Sequence, residues 1–92
     1  MWIVYVIQHS ISNEIYVGAT NNFKNRLERH NKGQATYTKR ESGKWDLVYA
    51  EAYRDKQDAF ERESKLKYHG SAKHELKKRI KRSLTPKVGL DK

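Results

Sequence analysis

Five side chains in this sequence are of types that could do chemistry together. Tyr5 and Tyr16 lie eleven positions apart, Arg26 ten beyond Tyr16, His30 four beyond Arg26, and Glu63 37 beyond Arg26. Hydrolysis of a phosphodiester is the reaction such a set suits. It needs a water relieved of its proton, a phosphate relieved of its charge, and help for the leaving oxygen. Arginine stays charged, and its planar fork matches the non-bridging phosphate oxygens as negative charge builds. Mg²⁺ keeps most of its waters and takes only one or two carboxylates plus substrate phosphate, so a lone Glu63 is a sufficient protein anchor. A phenol ionises near 10 in water. Tyr16 or Tyr5 would therefore accept a proton only where Arg26 and a metal stabilise the phenolate. His30 is a third candidate, because imidazole titrates near neutrality. Each residue also has a plainer reading. The tyrosines could be strand aromatics, Arg26 a solvated helix residue, His30 a core-edge histidine, and Glu63 the i, i+4 partner of Lys67, a pair worth about 0.2–0.5 kcal/mol.

The elements that must position these residues follow from periodicity. Trp2–Ile7 is β-branched and aromatic, apolar on both faces, and predicts a strand buried on both sides. Ser12 and Asn13 supply turn chemistry, and residues 14–18 predict a second strand, so that the pair forms a hairpin. Asn21 or Asn22 caps a helix starting near Phe23, with Phe23, Leu27 and His30 on one face. Residues 32–44 read as a basic loop, and Trp45–Tyr53 as a third strand. Asp55 begins a second helix, with Asp58 complementing its dipole and Ala59, Phe60, Glu63, Leu66 and Lys67 along one side. Gly70 ends that helix and Ser71 caps a third, with Leu76, Ile80 and Leu84 inward. The expected fold is α+β: a small three-stranded antiparallel sheet flanked by helices, in the order β-β-α-β-α-α.

Ninety-two residues make one domain. Cysteine is absent, which excludes disulfides and thiolate-bound zinc. No apolar run approaches a membrane span, and the N-terminus lacks a secretory pattern, so a cytoplasmic location is expected. The formal net charge is +9, with a mean hydropathy of −1.06. A polyanion is the natural partner of such a surface, nucleic acid before a membrane. Residues 71–92 hold eight Lys or Arg against two acids, a net +6.

Ile3-Val4-Tyr5, then Tyr16-Val17-Gly18, then Arg26 and His30, then Glu63 resemble the GIY-YIG nuclease family over about Trp2 to Leu66. The similarity is to its short stand-alone bacterial members, and to the catalytic modules of intron homing endonucleases and the excision-repair nuclease subunit. The resemblance implies a nuclease domain over residues 1–84 with a frayed basic tail at 85–92. It implies Tyr5, Tyr16, Arg26, His30 and Glu63 as catalytic residues. Tyr16 would be the base, Tyr5 would order the water, His30 would assist, and Glu63 would hold Mg²⁺ or Mn²⁺. Gly18 is assigned to backbone geometry or close approach rather than chemistry. Lys24, Arg29, Lys39, Arg40, Lys77, Lys78, Lys81 and Arg82 would contact phosphates, with DNA preferred over RNA. The expected form is a monomer cutting one strand per active site. The rival expectation is a basic domain of the same fold that binds nucleic acid or a ribosome without cutting. Three positions depart from the family pattern: Ile3 stands at the first glycine, Ala19 where some members carry a lysine, and no asparagine clearly follows Glu63 at the family's place. The Ala19 departure predicts one fewer cation near the site.

Overall fold

The computed structural model describes residues 1–32 and 43–84. Strands β1 (Trp2–His9), β2 (Ile15–Thr20) and β3 (Trp45–Tyr53) and helices α1 (Phe23–Asn31), α2 (Lys56–Tyr68) and α3 (Gly70–Arg79) follow one another in the expected order β-β-α-β-α-α. The sheet is antiparallel with strand order β2-β1-β3. β1 is central, which is why its sequence is apolar on both faces. Val4 and Val6 point to one side, where they pack with Val17, Ala19, Ala59, Leu66, Leu76 and Ile80 under α2 and α3. Tyr5 and Ile7 point to the other, with Trp45, Tyr16, Phe23 and Leu27 under α1. β1 runs two residues past the apolar segment, because Gln8 and His9 still pair with Asp46 and Trp45 of β3.

The turn between β1 and β2 closes through Asn13, whose φ of 65° is the left-handed conformation asparagine tolerates. His9 Nδ1 accepts the backbone N–H groups of Ile11 and Ser12, both at 3.2 Å, and so braces the turn. Asn22 caps α1 by accepting from the Asn25 N–H at 3.2 Å. Asp55 caps α2, accepting from the N–H groups of Gln57 at 2.7 Å and Asp58 at 3.2 Å.

The junction of α2 and α3 differs from expectation. Ser71 does not cap α3, and Gly70 does not end α2 in a left-handed conformation. His69 does both jobs through its backbone. Its N–H donates to the Lys65 carbonyl at 2.9 Å, and its carbonyl accepts from the N–H groups of Ala72 and Lys73. The helix of residues 70–79 therefore starts two residues early, with Ser71 inside its first turn. It also ends at Arg79, so Lys81 and Arg82 sit in the following turn rather than on the helix. Leu84 packs partly buried against the core, as expected. The tail 85–92 and most of the basic loop, with Lys39 and Arg40, lie outside the described residues. No helix among the described residues is long and apolar enough to cross a membrane.

Candidate active site

The hairpin register explains the eleven-residue spacing of the tyrosines. Tyr16 pairs with Ile7, and Ile7 is two residues from Tyr5, so both phenols rise from the same face of the sheet. Their ring centres are 6.5 Å apart. Gly18 pairs directly with Tyr5 and leaves the space its ring occupies. A Cβ at Gly18 would meet the Tyr5 hydroxyl oxygen, and would lie 2.5 Å from Tyr5 Cζ. The close approach at Gly18 is thus that of the Tyr5 ring.

α1 lies over this face and brings Arg26 and His30, one turn apart, against the phenols. The Tyr5 hydroxyl is 3.0 Å from His30 Nε2, and the His30 and Tyr16 rings are centred 5.0 Å apart. Trp45 closes the wall at 6.5 Å from each of those two rings. Asn31 fixes this end of α1. Its Oδ1 accepts from the Trp45 N–H at 2.6 Å, and its Nδ2 donates to the Trp45 carbonyl at 3.2 Å. Neither Trp45 nor Asn31 stood out in the sequence, since their contacts span fourteen residues across the undescribed segment.

The electrostatics separate the three proton-accepting candidates. Tyr5 is wholly buried. Burial pushes its hydroxyl up to about 12, while the Arg26 guanidinium pulls the other way as hydrogen-bond donor and as charge. His30 is 2% exposed. Burial, then the positive charges of Arg26 and Arg29, push it down to about 4. It is a neutral imidazole at pH 7, and the expectation that it titrates near neutrality is corrected. Tyr16 is the half-buried member of the three.

Glu63 approaches from α2, and its charge is felt at Tyr5. Its plainer role is realised: Lys67 Nζ is 3.0 Å from Glu63 Oε2, one turn along the helix. The same ammonium lies 5.2 Å from the centre of the Tyr16 ring. Ala19, where some members carry a lysine, is buried in the core under α2 and α3, and the cation beside Tyr16 comes from α2.

The rotation of α2 that aims Glu63 is set by its neighbour. Arg62 forks onto Glu51 of β3, with Nε 3.0 Å from Oε1 and Nη2 3.0 Å from Oε2. Glu51 also accepts from the hydroxyls of Tyr49 and Tyr53, each at 2.6 Å. Burial opposes ionisation of Glu51, but the donors from Arg62, Tyr49 and Tyr53 outweigh it and hold the carboxyl below its usual range.

Of the expected phosphate contacts, Lys24 and Arg29 are exposed on the helix that carries Arg26 and His30. Lys77 and Lys78 are exposed on α3, and Lys81 and Arg82 just after it. α3 covers the opposite face of the sheet from the phenols. Lys78 also pairs with Glu75 at 3.8 Å.

A family profile described as the GIY-YIG catalytic domain matches residues 1–75. Over 64 residues the chain is 39% identical to a UPF0213 protein of Pediococcus pentosaceus, covering 68% of this chain and 66% of that relative. The match thus spans just under two thirds of the curated relative's length. No solved structure matches the chain.

Proposed function

The chain belongs to the GIY-YIG catalytic-domain family, and on that premise we propose that it is a metal-dependent endonuclease that hydrolyses phosphodiester bonds in DNA, one strand per site. The observation that carries this reading is the convergence of phenol, guanidinium, imidazole and carboxylate from four separate elements.

Tyr16 is the base in this proposal, because it is the candidate with surface to offer a water. Tyr5 has no such surface, so its part is to hold His30. Its hydroxyl is hydrogen-bonded to His30 Nε2 at 3.0 Å, while Arg26 acts on its oxygen. Arg26, half-buried beside Tyr5, binds the phosphate and meets the charge that develops on it. Glu63 suits Mg²⁺ or Mn²⁺, being a hard carboxylate with a side chain 23% exposed. Among the described residues no three His, Asp or Glu side chains converge on one point. A cation at Glu63 would thus draw most of its ligands from water and substrate, as Mg²⁺ commonly does. Bound there, it would polarise a phosphate oxygen and steady the leaving group.

One observation favours the non-catalytic alternative, a basic nucleic-acid- or ribosome-binding domain: Glu63 is already paired with Lys67. A single experiment separates the two readings. The purified chain and its Glu63→Gln variant are incubated with labelled single-stranded, duplex and branched DNA and with RNA, in Mg²⁺, Mn²⁺ or chelator. The nuclease reading expects metal-dependent cleavage that Glu63→Gln abolishes while binding survives. Salt-sensitive binding without cleavage under any condition establishes the alternative.

A further inference from the structure

Lys67 adds to an ordinary i, i+4 pair a contact that a helix-surface lysine does not usually make. It holds Glu63 Oε2 at 3.0 Å, and its Nζ lies 5.2 Å from the centre of the Tyr16 ring on another element. The pair is partly withdrawn from water, with the Lys67 and Glu63 side chains 30% and 23% exposed. Burial works against the ammonium, yet Glu63 outweighs it and keeps Lys67 firmly charged. One cation thus joins the carboxylate expected to take a metal to the phenol expected to take a proton.

We propose that Lys67 is the internal counter-ion of the site: it aligns Glu63 with Tyr16 in the metal-free chain and weakens divalent-cation binding at Glu63. The inference rests on the reading of Glu63 as metal anchor. An ammonium and a divalent ion on one carboxylate would stand roughly 5 Å apart, and their repulsion is worth at least about tenfold in affinity even at the dielectric of water. Lys67 therefore tunes the site toward loading when substrate phosphate arrives, since phosphate adds negative charge. It acts as a positioning residue, through Glu63 and Tyr16.

The test is Mn²⁺ affinity, read from the spin-resonance signal of free Mn²⁺ with no substrate present. The proteins compared are the unmodified chain, Lys67→Met, Lys67→Arg and Glu63→Gln, each checked for folding by circular dichroism. Lys67→Met should bind Mn²⁺ about tenfold more tightly, Lys67→Arg within about threefold of the unmodified chain, and Glu63→Gln not measurably. At saturating Mn²⁺ the Lys67→Met variant should also cleave more slowly, as Glu63 and Tyr16 lose their common partner. A pair that only stabilises the helix would leave Mn²⁺ affinity unmoved. Unchanged or weaker binding in Lys67→Met, with Glu63→Gln still abolishing it, overturns the inference and leaves the metal anchor standing. Binding that ignores Glu63→Gln, or no binding in any of the four, removes the anchor and the inference together.

Discussion

At Gly18 the sheet has no side chain, and the Tyr5 ring uses the space. Any β-carbon there must push the ring or its hydroxyl, and neither has room, since Tyr5 is wholly buried and held by His30. Gly18→Ala should therefore cost about 1–3 kcal/mol, the usual range for overpacking a filled core, and should displace the Tyr5–His30 contact. Thermal unfolding and cleavage rate should fall together; a variant with the original melting temperature and rate would mean the ring moves freely. Tyr16→Phe separates the two phenols. It removes an oxygen from a half-buried ring and should leave stability nearly unchanged while abolishing cleavage. Activity that survives Tyr16→Phe would move the base elsewhere. His30 is a poor substitute: with its ionisation pushed down to about 4, it should add no inflection to the rate profile between about pH 5.5 and 8. The residue types and spacings were legible in the sequence because a hairpin and a helix turn convert spacing directly into a shared face. The ranking of the bases was not, because it depends on burial, which spacing does not report.

Among the elements, strands and helix starts were legible where local chemistry decides them: β-branched runs in β1 and β3, and the side-chain caps Asn22 and Asp55. The start of α3 was not, because His69 opens it through backbone hydrogen bonds alone, while Ser71 merely has the composition of a cap. The Glu51 cluster was hidden for a different reason. Tyr49, Glu51 and Tyr53 share a face of β3 by alternation, but their meeting with Arg62 depends on how α2 is turned against the sheet. That turn matters for chemistry, since Arg62 and Glu63 are consecutive and about 100° apart around the helix. With Arg62 forked onto Glu51, Glu63 is directed away toward Lys67 and Tyr16. Because the Glu51 carboxyl is held below its usual range, the folded chain binds fewer protons there than the unfolded one. Its contribution is present above the unfolded value of about 4.3 and is lost as pH falls through the folded value. The melting temperature of the unmodified chain should thus drop on acidification below about pH 4.5. Glu51→Gln should melt lower at pH 7 and lose part of that acid slope. Equal slopes in the two proteins would show that the cluster does not titrate with folding.

For the whole molecule, charge and site inventory govern how it meets a polymer. The +9 charge was legible; its distribution over both faces of the sheet was not, since it follows from which helix covers which face. Replacing Lys77, Lys78, Lys81 and Arg82 with Gln removes charge opposite the phenols. If these residues touch phosphate, the slope of log affinity against log salt should fall by about 0.9 per lost contact on duplex DNA, with the bound-state cleavage rate unchanged. An unaltered slope would assign that cluster to solubility. The inventory of the other face carries the last prediction. Among the described residues one Arg26, one Glu63 and one pair of phenols converge, which amounts to one candidate centre there. The strands of a duplex run antiparallel, so one centre meets one phosphate in the right polarity at a time. Cutting both strands needs release and rebinding in the opposite sense, or a second copy related by a two-fold axis. With +9 on each copy, two chains repel until DNA neutralises them. On supercoiled plasmid the chain should therefore give nicked circles first, with linear DNA appearing late and only through independent second cuts. The yield of linear product should depend on the number of nicks already made and not on the square of the protein concentration. A direct passage from supercoiled to linear at low protein concentration would instead require two centres acting together on one duplex.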